Sequence, residues 1–481
     1  MKSSSLRSWF ALVVGLCLSL TTLVTLSPRA AGDDVHSVAK PSLELVVGDH
    51  SVTAFKFRKQ PAKLDADISV LATRAPLEFL LKRPRYDEPI RISQMVGGDR
   101  VRLPDDTLHG WDGFADFFEL KAKNKTGELV YKDTQRFCPS AEERQQVAPG
   151  GPAEAVYTLG CQANEFTKGM IWGIEKGWAA DAFGDWGARI DVPTGRYAVT
   201  IRITRRYREL FDISKAAATV RLNVTVEKIP TCFDCEYDPP APGNEPVPGD
   251  PVPDTTTPGN SVLPDLAPLP PYGIHVFEEP DDRSFLGFAS HVWVSGNSDL
   301  VVEGYFNETT QQMDAYQYFF NDGLAVSRAN VGTFAYDVRD GHDHWHLDRF
   351  SIYRFIDAAN GAVITSEKQG FCLGPSSPTD LTIPGAVLQD VKPKYETTCG
   401  TPESTWIREV VPLGWGDTYH QMLPGQSFEI TNVPNGKYFI EIEANPEQFI
   451  YEQDLGNNVI RRKIVLRGGP NNRRVDFGPV R

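Results

Sequence analysis

What the chain lacks narrows the classes it can belong to. Basic charge is scarce: 49 Lys and Arg stand against 63 Asp and Glu, for a formal net charge of −14. An acidic chain of this kind repels nucleic acid and draws cationic partners by long-range attraction. Long amphipathic helical patterns are scarce too, which argues against a helical architecture. Apolar runs of membrane-spanning length are limited to one, residues 9–26, so the rest of the chain is expected to be soluble and exported. Cysteine is sparse, with seven residues in 481.

The single apolar run follows Lys2 and Arg7 and precedes the small residues Ala30 and Ala31, the pattern of a secretory signal over 1–31. Its length also suits an uncleaved anchor. Cys17 lies inside the run without a convincing lipid-attachment box. The other six cysteines are an even number in an oxidising compartment, where disulfides are the default. Their order predicts pairing of neighbours: Cys138 with Cys161, Cys232 with Cys235, Cys372 with Cys399. The second pair sits at the start of a Pro-rich stretch with no βαβ context, so it reads as a structural clip and not a redox motif. The expected location is secreted, periplasmic or cell-surface.

From Pro239 to Pro258 the chain is mostly Pro, Gly, Asp, Glu and Thr, the composition of an extended linker. It separates a domain over 32–230 from one over 263–481, with 231–262 between them. Both halves carry short alternating runs, such as 197–203 and 438–443, punctuated by Pro and Gly. The expected fold is all-β, two antiparallel β-sandwich-like domains. The halves also read as copies. Val192-Pro-Thr-Gly-Arg-Tyr197 parallels Val433-Pro-Asn-Gly-Lys-Tyr438, and Phe137-Cys138 parallels Phe371-Cys372, with Trp111 and Trp345 at the same interval before them. Gly177-Trp178 parallels Gly414-Trp415. Four landmarks in one order point to duplication.

The richest local signal is His342-Asp343-His344-Trp345-His346, which holds three of the nine histidines. On an extended strand these three imidazoles share one face. Such a set suits copper, zinc, nickel or iron, and nitrogen-rich sites suit copper well. Strand neighbours repeat only about every 6.5–7 Å, so a twist or bulge is needed to converge them. A histidine-rich surface ladder is the competing reading. Registering Trp111 on Trp345 sets Leu108, Gly110 and Asp112 opposite the histidines, so the first half lacks the cluster.

The second half resembles the lysyl oxidase family. The resemblance rests on Gly341-His-Asp-His-Trp-His-Leu-Asp-Arg-Phe350 with Tyr353 and Asp357, then Ser366-Glu-Lys-Gln-Gly-Phe-Cys-Leu373, Leu413-Gly-Trp-Gly-Asp-Thr-Tyr419 and Ile450-Tyr-Glu-Gln-Asp-Leu-Gly-Asn-Asn458. Leu263-Pro-Asp-Leu266 matches the entry to that domain, so about 263–468 is covered. The resemblance implies that His342, His344 and His346 ligate copper. It also implies that Lys368 and Tyr419 form a lysine tyrosylquinone, in a protein-lysine 6-oxidase-like amine oxidase. Primary-amine oxidation needs an electrophilic carbonyl that no ordinary side chain supplies. The products would be an aldehyde, ammonia and hydrogen peroxide, from O2 and a peptidyl lysine or small amine. The first half has Thr134 and Ala182 opposite Lys368 and Tyr419, so metal and cofactor residues are missing there together.

Glu452, Asp454, Asn457 and Asn458 offer hard oxygen ligands of the kind calcium takes. In the resembling domains the matching residues join the Asp265-Leu266 pair around a structural calcium; an ordinary Asn/Asp turn is the other reading. With only Cys372 and Cys399 in the catalytic half, and no collagen-like, scavenger-receptor-like or basic propeptide region, the pattern looks more like bacterial lysyl-oxidase-like proteins. Two other classes stay open on residues alone. One is a non-enzymatic copper-binding or surface/matrix-interaction protein, and the other a three-histidine hydrolase or oxygenase. Lysine-rich protein is the candidate macromolecular partner, and the oligomeric state is not legible.

Overall fold

The computed structural model describes residues 42–480 apart from 58, 65, 162, 185–186, 229–246, 250, 340–342, 366–369, 390–392 and 470–471. The signal segment, Cys17, Cys232, Cys235, His342 and Lys368 therefore lie outside the described residues. The described chain is all-β as expected, its one α-helix being the six-residue Arg205–Leu210.

Alternation of apolar and polar residues explains most strands. Ile68–Ala72 buries every second side chain, and Thr219–Lys228 alternates over most of its length. Each half contains three sheets, and no sheet mixes strands of the two halves. In the first half one sheet runs Leu43–Val47, Ile68–Ala72, Trp178–Asp181, Arg144–Gln146. Its counterpart in the second half runs Pro264–Pro268, Ser284–Gly296, Trp415–Tyr419, Ser377–Pro378. A second sheet contains Leu129–Phe137, Phe114–Lys123, Gly195–Ile203 and Thr219–Lys228 in that order, against Val363–Thr365, Ser351–Asp357, Gly436–Ala444 and Val459–Arg467. The third begins Gly169–Ile174, Leu77–Lys82, Arg91–Val96, Asp99–Arg102, against Trp406–Val411, Leu300–Asn307, Gln312–Asn321, Leu324–Asp337. Four strands in each sheet thus share an order between the halves, while the sheets differ in size: four, seven and four strands in the first half against six, five and six in the second.

Local details agree as well. The Tyr197 hydroxyl donates to the Pro193 carbonyl at 2.8 Å, and Tyr438 to that of Pro434 at 2.7 Å. Cys138 is bonded to Cys161 and Cys372 to Cys399, as their order predicted. One pairing departs from the antiparallel expectation: Thr219–Lys228 runs parallel to Ser51–Lys56. A parallel neighbour needs a long crossover, which alternation within a strand does not encode.

Each half has its own apolar core, and a smaller cluster of Phe166, Leu269, Tyr272 and Ala289 lies where they meet. The described end of the Pro-rich stretch rests against the second half: Asp254 bridges to Arg328, and the Arg328 guanidinium pairs with its carboxylate at 2.8 Å.

Candidate metal and cofactor site

The sheet that carries the histidines continues past Leu324–Asp337 into His344–Asp348 and then Gly370–Phe371. The strand begins at His344, and Asp343 just before it takes the left-handed region at φ 38°. His344 and His346 do share a face, while Trp345 points the other way, is 2% exposed and donates its indole N–H to the Thr401 carbonyl at 2.9 Å.

The Nε2 atoms of His344 and His346 lie 3.0 Å apart, with the rings at 86° to one another. Two nitrogens at about 2.0–2.1 Å from a common ion would be this far apart at an angle of roughly 91–97°. That angle suits the tetragonal nitrogen sites of Cu(II), so the two imidazoles fit such an ion. The Asp337 carboxylate sits 3.4 Å from His346 Nδ1 and is itself paired with Arg339 at 2.6 Å. A carboxylate behind the non-ligating nitrogen fixes ring orientation and tautomer. Among the described residues, the donor atoms of Cys372, Cys399 and Glu409 also converge. Those sulfurs are joined in the disulfide, so this group is not a thiolate metal site.

Tyr419 ends the strand Trp415–Tyr419 and donates its hydroxyl to the Cys372 carbonyl at 2.7 Å. Its ring meets that of Phe371 edge-on at 4.9 Å. On the other side of this short segment, a Cβ on Gly370 would lie 2.9 Å from His346 Cβ. Tyr419 and His346 thus both lie against the segment Gly370–Cys372. Burial pushes the Tyr419 phenol well above its ordinary pKa, reinforced by Asp417, Glu409 and Tyr353.

Several residues around this site carried no signal in the sequence. Glu409 is fully buried, and burial raises its carboxyl well above the usual range. One of its oxygens accepts the Leu373 N–H at 2.9 Å, and the other has no hydrogen-bond partner. His291 is fully buried between the hydroxyls of Thr418 and Thr379, at 2.7 and 2.8 Å, and burial depresses its pKa to about 3. Asp337 was equally unmarked. Only Asp417 lay within a phrase already singled out, Asp-Thr-Tyr.

The oxygen-rich turn near the end also assembles. Asp454 N–H and Asn457 Nδ2 donate to the Asp265 carboxylate at 2.9 and 2.8 Å. Glu452 accepts from Leu266 N–H at 3.0 Å and from Asn458 Nδ2 at 2.7 Å. The side-chain oxygens of Asn457 and Asn458 are buried without a hydrogen-bond partner. Two orphaned amide oxygens beside two carboxylates are a donor set that a hard cation suits.

Comparison with known proteins agrees with this region. Residues 306–473 match the family model described as Lysyl oxidase. Lysyl oxidase homolog 1 of Homo sapiens is 31% identical over 150 residues, which is 31% of this chain and 23% of that protein. Lysyl oxidase homolog 2 of Xenopus laevis is 28% identical over 149 residues, 31% of this chain and 18% of that protein. The chain thus spans about a quarter or less of the length of these curated relatives. Over residues 306–473 the chain is similar to the lysyl oxidase family.

Proposed function

We propose that the second half is an exported copper- and quinone-dependent amine oxidase. It would convert a primary amine, O2 and water to an aldehyde, ammonia and hydrogen peroxide. The observation that carries this reading is the convergence of His344 and His346, 3.0 Å apart, with His346 and Tyr419 both against the segment Gly370–Cys372. His342 would complete the copper ligands, and Lys368 would be the crosslinking partner of Tyr419. The quinone, once formed, supplies the electrophilic carbonyl that unmodified side chains lack.

The chain's own residues have definable tasks in this reading. Asp337 holds the His346 ring by its Nδ1, so Nε2 is left to face the ion. The Cys372 carbonyl holds the Tyr419 hydroxyl, and Phe371 excludes water from one side of the ring. The acidic chain favours approach of a cationic amine, peptidyl lysine or small amine alike. A structural calcium held by Asp265, Leu266, Glu452, Asp454, Asn457 and Asn458 is part of the same proposal, on the strength of the two orphaned amide oxygens. The first half is read as a degenerate copy without the chemistry. What supports this is the shared order of four strands per sheet, with Gly110 and Asp112 in a turn closed by the Leu108 bridge to Phe114 in place of a histidine strand. Export is supported by the two disulfides.

Copper-loaded protein should release hydrogen peroxide from a small primary amine or a lysine peptide. Metal-free protein, Tyr419→Phe and His346→Ala should release none. Stoichiometric copper without peroxide from any primary amine in a panel would move the reading to a non-catalytic copper-binding protein.

A further inference from the structure

The strand that carries Tyr419 is short. Trp415–Tyr419 pairs over four residues with Ser284–Gly296 and over two with Ser377–Pro378. A one-residue slip in a strand turns every side chain to the opposite face. Such a slip would carry Tyr419 away from the Cys372 carbonyl. Contacts besides the ladder bear on the register of this strand.

The first component is a grip by the first half on the residues after Ser377. Thr167 donates its hydroxyl to the Pro378 carbonyl at 2.6 Å, and Lys168 N–H donates to the Thr379 carbonyl at 2.6 Å. Leu381 N–H returns a bond to the Gly169 carbonyl at 2.9 Å. A Cβ on Gly169 would lie 2.2 Å from the Asp380 side-chain Oδ1 and 2.7 Å from the Thr382 side chain, so a larger residue there would displace both. Thr167 and Thr379 are both buried.

The second component runs from this grip to the tyrosine strand. The Thr379 hydroxyl meets His291 Nε2 at 2.8 Å, and His291 Nδ1 meets the Thr418 hydroxyl at 2.7 Å. A neutral imidazole has one donor and one acceptor nitrogen, so both are used and the ring has a single fitting orientation. Gly416 leaves room for it, since a Cβ there would lie 2.1 Å from His291 Nε2. Tyr272 lies beside Thr418, and its ring receives Phe166 of the first half edge-on at 5.1 Å. Burying an imidazole and its hydroxyl partners gives little stability over an apolar filling. It does specify one arrangement, because a slip would leave each buried polar group unpaired.

We propose that Thr167, Thr379, His291 and Thr418 are positioning residues for Tyr419, and that the first half of the chain serves the second by fixing the register of the tyrosine strand through them. The consequence for the reaction rests on Tyr419 being the cofactor precursor; the register coupling does not.

The test uses full-length protein with Thr167→Val and Thr167→Ser, and independently Thr418→Val and Thr418→Ser. Hydrogen exchange of the peptide containing Trp415–Tyr419 is read in the metal-free state. The Lys368–Tyr419 crosslink is read by mass spectrometry after copper and oxygen are supplied. Each valine variant should raise exchange in that peptide about 5- to 10-fold, the loss of one hydrogen bond, and lower crosslink yield at least about 10-fold, as a displaced reactive group does. The serine variants should restore both. Unchanged exchange in the Thr167→Val and Thr418→Val proteins would overturn the proposal. So would unchanged crosslink yield where the unsubstituted protein crosslinks. Raised exchange with no crosslink even in the unsubstituted protein would leave the register coupling standing and overturn the amine-oxidase reading instead.

Discussion

Glu409 is the residue whose burial is hardest to reconcile with stability alone. It is a fully buried carboxyl with one satisfied oxygen, beside Asp417 and the disulfide. Its folded pKa is raised, so the folded protein keeps a proton that the unfolded chain releases above about 4.5. Its contribution to stability is therefore full below that pH and is lost as pH rises towards the folded pKa, by up to about 1.4 kcal/mol per pH unit. Glu409→Gln should melt with the unsubstituted protein near pH 4 and several degrees above it at pH 8, by circular dichroism. Equal or lower melting at pH 8 would show that the carboxyl is ionised and paired. Legibility at this scale was uneven. His344, His346 and Tyr419 stood out because their types are rare or their neighbours distinctive. Glu409, His291 and Asp337 act through burial and partners distant in sequence, which a linear reading does not contain.

At the scale of elements, the site depends on three short strands held by a disulfide. The Cys372–Cys399 bond joins the end of Gly370–Phe371 to the residue whose carbonyl accepts the Trp345 N–H at 2.9 Å. It closes a 27-residue separation, so replacing both cysteines with alanine should cost about 3 kcal/mol. Because the Trp345 strand bears His344 and His346, copper affinity should fall as well, measured by competition with a chelator. Unaltered copper affinity in the double variant would mean that the strand needs no such staple. Element type and the alternating faces were readable from the sequence, as the runs 197–203 and 438–443 fall inside Gly195–Ile203 and Gly436–Ala444. The parallel neighbour Ser51–Lys56 and the turn at Asp343 were not, since both are decided by tertiary geometry and not by periodicity.

Across the whole molecule, two joints hold distant parts of the chain together. One is the grip of Thr167–Gly169 on Pro378–Leu381, which no motif announced because threonine and glycine are ordinary loop residues. The other ties the opening of the second half to its end through Asp265, Glu452 and Asn457. If calcium completes the second joint, chelation should lower the melting temperature and micromolar to millimolar calcium should restore it. Asn458→Leu should blunt that response, and a calcium-independent melting temperature would reduce the joint to its hydrogen bonds. If Tyr419 and Lys368 become one cofactor beside the histidines, tandem mass spectrometry of protein produced with copper should find a Lys368–Tyr419 crosslinked peptide of quinone mass that is absent from Lys368→Ala protein. Unmodified peptides at both positions, with copper bound and oxygen present, would contradict it.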